Sequence, residues 1–209
     1  MEGLSAAPNV SGILVTMPHK AAVASFCASR SERSTQLGVM SVLRRSSGGG
    51  WHGDMLDGLA FVKAQVDHGA QPDGARVLLM GAGGAGSAIA AAMLEAGAAE
   101  VAVYDTDDSR AAAVVNQLSG LGQATTARSS DPAGFDLICN ATPLGMNEGD
   151  PLPLDTSALK PSMFVGDVIA GHGTTPLIAA AEAAGCQTAD GGHMVAAAQE
   201  LMAEFYLID

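Results

Sequence analysis

Two groups of residues in this chain have types and spacings suited to chemistry. The first is Gly81-Ala82-Gly83-Gly84-Ala85-Gly86, placed directly after the apolar run Val77-Leu78-Leu79-Met80. Asp105 closes the next apolar run, Val101-Ala102-Val103-Tyr104. A bare G-x-G-x-x-G spacing arises by accident in a chain with 26 glycines, and the bland reading is a loop that only turns a corner. The order strand, glycine loop, helix, strand, acid is far more specific, because each part has a task in holding a dinucleotide. Gly81 makes the tight turn, Gly83 lets the backbone approach a pyrophosphate, and Gly86 lets the helix pack closely on the sheet. The helix expected over Ser87–Ala96 aims its N-terminal N–H groups and positive dipole end at the phosphates. Asp105 falls where the adenosine ribose belongs, and a carboxylate there accepts from both ribose hydroxyls. With Asp107 and Asp108 it repels a 2′-phosphate, which favours NAD. Arg110, close to the same turn, keeps NADP as the second possibility.

The second group is Lys20, beside Pro18 and His19 at the end of an expected strand, and Asp57, 37 residues later at the start of an expected helix. A lysine that moves protons needs a lowered pKa or a relay, and an aspartate can orient it. Taken alone, such a pair is more often solvated surface. His19 reads as a turn residue, and His52, His172 and His193 have no metal-ligand spacing. No metal is expected.

The elements that must position these groups follow from periodicity and punctuation. From Arg76 to about Ala189, strands alternate with helices. Ser109–Leu118 is a helix capped by Asp107 or Asp108, and Phe135–Cys139 is a buried strand from whose end Asn140–Pro143 emerges. Met163–Ile169 is a strand, Thr175 caps a helix with Pro176 at its first position, Gly185 stops it, and Cys186–Ala189 is a short last strand. This alternation implies an α/β fold with a parallel, doubly wound sheet, whose ligands bind beyond the strand C-termini. The first seventy residues read differently. A strand Gly12–Thr16 leads to a helix through Ser29, then Ser41–Arg44 and Trp51–Gly53 form a hairpin turned by Ser46–Gly50. Asp57–His68 is helical, and Gln71–Gly74 links the two parts. A tail helix, Gly192–Leu207, returns to the N-terminal part. The expected domains are residues 1–70 for substrate and catalysis, 71–189 for the dinucleotide, and 190–209 as the returning helix.

Composition sets the limits. The 209 residues are enough for a proper core, and 48% hydrophobic residues is ordinary for a soluble globular protein. A net charge of −12 argues against nucleic acid or an anionic membrane as partner. Cys27, Cys139 and Cys186 form no CxxC and read as small buried hydrophobes in a reducing, cytoplasmic setting. No apolar stretch is long enough to span a membrane, and no signal peptide opens the chain.

Val15-Thr16-Met17-Pro18-His19-Lys20 resembles the V-T-x-P-x-K motif of the shikimate/quinate dehydrogenase family. Gly53-Asp54-Met55-Leu56-Asp57-Gly58 is similar to its G-D-N-T-D-G motif. Asn140-Ala141-Thr142-Pro143-Leu144-Gly145-Met146 is similar to its N-A-T-x-x-G-M strand exit. Gly166-Asp167-Val168, Thr175-Pro176-Leu177 and Asp190-Gly191 with Met194 follow in the family's order. The resemblance covers nearly the whole chain. It implies a Rossmann-type nucleotide domain plus a shortened α/β substrate domain completed by the C-terminal helix. The implied activity is reversible hydride transfer between nicotinamide and a hydroxyl or keto group of a cyclic hydroxy acid. It makes Lys20 and Asp57 the catalytic pair and gives Thr16 a bond to a substrate hydroxyl. Gly81, Ala82, Gly83, Gly84, Ala85, Gly86 and Asp105 hold the cofactor, and Asn140, Thr142, the Val168 backbone and Gly191 line its nicotinamide side. The Tyr104–Asp107 turn is closer to the NAD-using branch.

The departures fall at substrate recognition. Ser41 stands where the family has a substrate-binding Asn, Met55-Leu56 replaces Asn-Thr, and Ala170 and His172 replace a tyrosine and a proline. Ala198 occupies the place of a substrate glutamine, with Gln199 one position late. The chain also starts after the strand whose S-x-S pair grips the substrate carboxylate. These differences predict altered substrate choice. They also predict an exposed edge near Gly12–Thr16, open to pairing in a homo-oligomer. The competing readings are a non-catalytic NAD-binding module or inactive truncated homologue, and a different enzyme such as a relative of methylene-tetrahydrofolate dehydrogenase.

Overall fold

The structure, a computed structural model, describes residues 1–16 and 18–207. Met17 of the V-T-x-P-x-K stretch, and the last two residues of the expected 190–209 segment, lie outside them. The chain divides into two compact units, residues 1–57 with 198–209, and residues 58–197.

The first unit contains α1 (Glu2–Ala6), β1 (Gly12–Leu14), β2 (Cys27–Arg30), α2 (Glu32–Leu37), β3 (Val42–Arg45) and β4 (Trp51–Asp54). Its four strands lie in the order β1-β3-β4-β2. The expected hairpin is present, with Val42 opposite Asp54 and Arg45 opposite Trp51. The expected helix through Ser29 is instead a 3-10 turn, Ala22–Phe26, followed by β2, which pairs in parallel with β4. The pairing is with a strand more than twenty residues away, so local periodicity carries no trace of it. α2 was not expected either, although its signals are local. Ser31 caps it by accepting from the Ser34 N–H, and Gly38 ends it at a φ of 67°. Val15, Val23, Met40, Leu43 and Trp51 form the core of this unit. Burial of each such side chain contributes about 1.5–3 kcal/mol. The end of the C-terminal helix adds to it. Phe205 is buried, and the Tyr206 hydroxyl donates to the Ile13 carbonyl at 2.9 Å.

The second unit begins within α3 (Asp57–Asp67) and continues with β5 (Arg76–Met80), α4 (Gly84–Glu95), β6 (Glu100–Tyr104), α5 (Asp108–Gln117), β7 (Ala124–Thr126) and β8 (Leu137–Asn140). It ends with β9 (Phe164–Asp167), α6 (Pro176–Ala183), β10 (Gln187–Ala189) and the first turns of α7 (Gly191–Leu207). Its six strands are all parallel, in the order β10-β9-β8-β5-β6-β7. β5 and β8 are buried along nearly their whole length, which explains their continuous apolar runs. Asp107 caps α5, and Thr175 caps α6 with Pro176 at its start, as the sequence predicts. β7 is not among the expected strands; its three residues pair with Val101–Val103 of β6 at the edge of the sheet.

The sequence reading set domain limits at 70/71 and 189/190, whereas packing groups residues 58–70 and 190–197 with the six-stranded sheet. A Cβ on Gly58 would lie 2.1 Å from the Ala88 carbonyl oxygen of α4, and one on Gly166 would collide with Gln65 and Phe61 of α3. That close packing ties the body of α3 to the parallel sheet.

Candidate functional site

In the second unit the chain runs out along β5 to β6 and β7, then crosses back to β8, β9 and β10. The strand order therefore reverses between β5 and β8, and ligands of such sheets sit beyond the strand C-termini at that point. The glycine loop leaves β5 there. Gly81 has a φ of 100°, a left-handed conformation that glycine adopts without strain, and its N–H donates to the Tyr104 carbonyl at 2.8 Å. A Cβ on Gly86 would lie 1.9 Å from the Gly81 carbonyl oxygen, so only glycine lets α4 start this close to the strand. Gly83 and Gly84 are exposed, with open space where a side chain would be. Gly83 is the N-cap of α4 and supplies no side-chain acceptor to its first turn. The helix starts at Gly84, three residues before the expected Ser87. Its open N-terminus beside two bare glycines fits a pyrophosphate, because N–H groups and dipole converge on a surface no side chain covers.

Asp105 is tied into the same loop. Its Oδ2 accepts from the Ala82 N–H at 2.8 Å, and its Oδ1 from the Asp107 N–H at 3.0 Å. Asp105 remains partly exposed, so its carboxylate both fixes the loop and presents negative charge beyond β6.

Asn140 ends β8 with no exposure and is fully occupied by the protein. Its Nδ2 donates to Asp167 Oδ1 at 3.0 Å, and its Oδ1 accepts from the Thr142 N–H and hydroxyl at 3.1 and 2.7 Å. Asp167, at the end of β9, is equally buried and also accepts from the Thr175 hydroxyl at 2.7 Å and the Ile169 N–H at 3.2 Å. Burial pushes the Asp167 carboxyl above its ordinary pKa, against the pull of these donors. Asn140 thus acts as a brace between strand ends. Thr142 and the Val168 backbone sit in the partly exposed loops that this brace positions. Val168 donates its N–H to the Asn140 carbonyl at 3.1 Å. Gly191 is required where it stands, because a Cβ there would lie 2.3 Å from the Ile169 backbone. The sequence reading gave Asp167 no role, although an acid ending an apolar strand was a usable signal.

In the first unit Lys20 and Asp57 form an ion pair, with side chains 20% and 18% exposed. Lys20 lies in the tight turn after β1, where the His19 N–H donates to the Thr16 carbonyl at 2.9 Å. Its carbonyl accepts from the Met40 N–H at 3.0 Å, which anchors the turn to the strand region. Asp57 is delivered by a segment held from two sides. Asp54 Oδ1 accepts from the Met55 N–H at 2.7 Å and from Arg33 Nε at 2.9 Å, and it also accepts from the Ser31 hydroxyl. Ser41 Oγ accepts from the Leu56 N–H at 2.9 Å. Ser31, Arg33 and Asp54 were not singled out from sequence, since their connection crosses more than twenty residues.

Of the expected substrate residues, Thr16 is exposed next to this turn, whereas Ser41 is 3% exposed with its oxygen engaged by Leu56. Ser41 is therefore a support for the segment carrying Asp57. Met55 and Leu56 point into the core, and Gln199 is exposed on α7. Among the described residues no group of three His, Cys, Asp or Glu side chains is placed to hold a metal, and no helix is long and apolar enough to cross a membrane.

A parallel sheet with a glycine-lined helix start at its switch point and an acid closing the next strand defines the dinucleotide-binding α/β class. No protein-family model matches the chain. Individual relatives do. It is 33% identical over 201 residues to the shikimate dehydrogenase (NADP(+)) of Stenotrophomonas maltophilia K279a, covering 93% of this chain and 71% of that one. The quinate dehydrogenase of Corynebacterium glutamicum, solved in complex with NAD, is 32% identical with a TM-score of 0.81, over 90% of this chain and 69% of that one. The ligand-free 5-ketofructose reductase of Gluconobacter sp. CHM43 is 29% identical with a TM-score of 0.88, over 99% and 76%. The chain belongs to the shikimate/quinate dehydrogenase family of NAD(P)-dependent oxidoreductases.

Proposed function

We propose that this protein is a dehydrogenase interconverting a hydroxyl and a keto group on a small cyclic hydroxy acid, with NAD preferred to NADP. The observation that carries the reading is the ion pair of Lys20 with Asp57 in a turn otherwise built for rigidity. When bound, nicotinamide supplies the hydride acceptor or donor. As the neutral amine, Lys20 Nζ takes the hydroxyl proton when the substrate is oxidised and becomes the ammonium that Asp57 holds in place; on reduction that ammonium returns the proton to the new hydroxyl. Thr16 contributes a hydrogen bond to the substrate. Asp105, with Asp107 and Asp108 following it, favours free ribose hydroxyls over a 2′-phosphate.

Substrate choice differs from that of shikimate and quinate enzymes in this proposal. Ser41 has committed its oxygen to Leu56, Met55 and Leu56 are core residues, and Gln199 faces solvent. Each substrate hydroxyl left unpaired in a closed site costs about 1–3 kcal/mol, so a less hydroxylated ring acid is the better fit. The same commitments favour a second reading, an NAD-binding module without turnover. Three free cysteines, two of them buried, support a reducing, cytoplasmic location.

The test is NADH formation from NAD with shikimate, quinate and simpler hydroxycyclohexane carboxylates, run beside Lys20→Ala. Turnover lost in the variant supports the dehydrogenase. NADH binding with no turnover on any of these acids supports the second reading.

A further inference from the structure

Arg128 is the first charged residue after β7, the strand beside β6 at the edge of the parallel sheet. Val101, Ala102 and Val103 lie opposite Ala124, Thr125 and Thr126, and the Ala127 N–H donates to the Val103 carbonyl at 2.8 Å. The same register, carried on past the ladder, sets Ala127 beside Tyr104 and Arg128 beside Asp105. Tyr104 and Ala127 both pack on the core cluster that holds Leu78, Met80 and Leu177. Side chains alternate between the two faces along a strand, so Asp105 and Arg128 both fall on the other face. The glycine loop meets Asp105 there, through the Ala82 N–H. Arg128 is exposed, and among the described residues it makes no hydrogen bond or ion pair, although Asp105 is its neighbour across the strands.

We propose that the Arg128 guanidinium covers the adenine ring of the bound dinucleotide. This assignment rests on the NAD-binding reading, in which the pyrophosphate sits at the start of α4 and Asp105 holds the adenosine ribose. Those two groups follow the strand ends from β5 to β6. The base is the next group along that direction, and the next strand end is that of β7, where Arg128 stands. A guanidinium is planar, always charged and weakly hydrated, so it stacks on an aromatic face in a way that a compact ammonium does not. Tyr104, the aromatic residue at the end of β6, packs on the core cluster instead and leaves that cover to Arg128. The competing use of the same charge is contact with a 2′-phosphate. That phosphate would lie against Asp105, Asp107 and Asp108, whose carboxylates repel it.

The test is calorimetric titration of the full chain with ADP-ribose, NADH and NADPH, comparing wild type with Arg128→Ala, Arg128→Tyr and Arg128→Lys. Arg128→Ala is expected to weaken ADP-ribose and NADH about tenfold, and NADPH by the same factor. Arg128→Tyr restores a flat face without the charge and should recover most of the loss. Arg128→Lys restores the charge without the flat face and should recover less. The side chain is exposed, so Tm should stay the same in all three variants. No loss in Arg128→Ala, recovery by Lys equal to or better than that by Tyr, or a greater loss for NADPH than for NADH would each overturn the proposal. Failure of the wild-type chain to bind NADH or ADP-ribose is a separate result, which overturns the NAD-binding reading and this assignment with it.

Discussion

Asn140 and Asp167, at the ends of adjacent parallel strands, share a 3.0 Å hydrogen bond from which water is excluded on both sides. The pair braces the strand ends next to the glycine loop, and it places an acid where ionisation is costly. Burial raises the Asp167 pKa in the folded state, whereas the unfolded chain titrates near the ordinary value of about 3.9. Between those two values the folded state holds the extra proton. Stability linked to this group is therefore greatest below about pH 3.9 and declines as pH rises through the folded pKa, then levels off. Denaturant unfolding of wild type and Asp167→Asn from mildly acidic to neutral pH should show the wild type losing ground to the variant as pH rises. A difference that moves the other way would refute the assignment.

Lys20→Ala should reduce turnover by about 10²–10⁴-fold, the usual weight of a positioned proton-transfer group. NADH affinity should not change, because the glycine loop, α4 and Asp105 are untouched. Asp57→Asn should also lower kcat, with a shifted pH profile that a purely structural loss would not give. Steady-state kinetics and a fluorescence titration separate these effects.

Gly86→Ala tests the close approach of α4 to β5. The added methyl group would meet the Gly81 carbonyl oxygen at 1.9 Å, so the loop must shift. Overpacking of this kind costs about 1–3 kcal/mol, and each kcal/mol lowers Tm by about 2–4 °C in a chain of this size. Calorimetry should register the loss, and NADH binding should weaken with it. Gly83→Ala, where the Cβ meets open space, should leave Tm nearly unchanged but obstruct the cofactor.

Asp105→Ala should weaken NAD binding by about ten- to a hundredfold, since hydrogen bonds to a charged group contribute about 1.5–3 kcal/mol. NADP should lose much less, or gain, because a repelling charge has gone. Calorimetric titration of both cofactors against wild type and variant measures the change in their ratio. An equal loss for both would mean that Asp105 acts only through the Ala82 N–H.

Local chemistry made much of this protein legible in its sequence. The turn at Gly81, the caps at Asp107 and Thr175, Pro176 at a helix start and the Val42–Asp54 hairpin all obey short-range rules, so residues a few positions apart contain the information. The order of strands and helices then implied the parallel sheet. Other features depend on partners distant in sequence. β2 forms because β4 offers it a ladder, in a stretch that otherwise reads as helix. Ser41 stands in a substrate position by motif, yet the Leu56 N–H claims its oxygen once β3 and the start of α3 come together. The Lys20–Asp57 pairing bridges 37 residues, so no local periodicity links the two, and in the sequence only the motif resemblance does. Sequence determined which residues could turn, cap, donate and accept. Only the tertiary structure decided which groups spend that capacity on one another and which remain open, because burial and long-range pairing exist only in the folded chain.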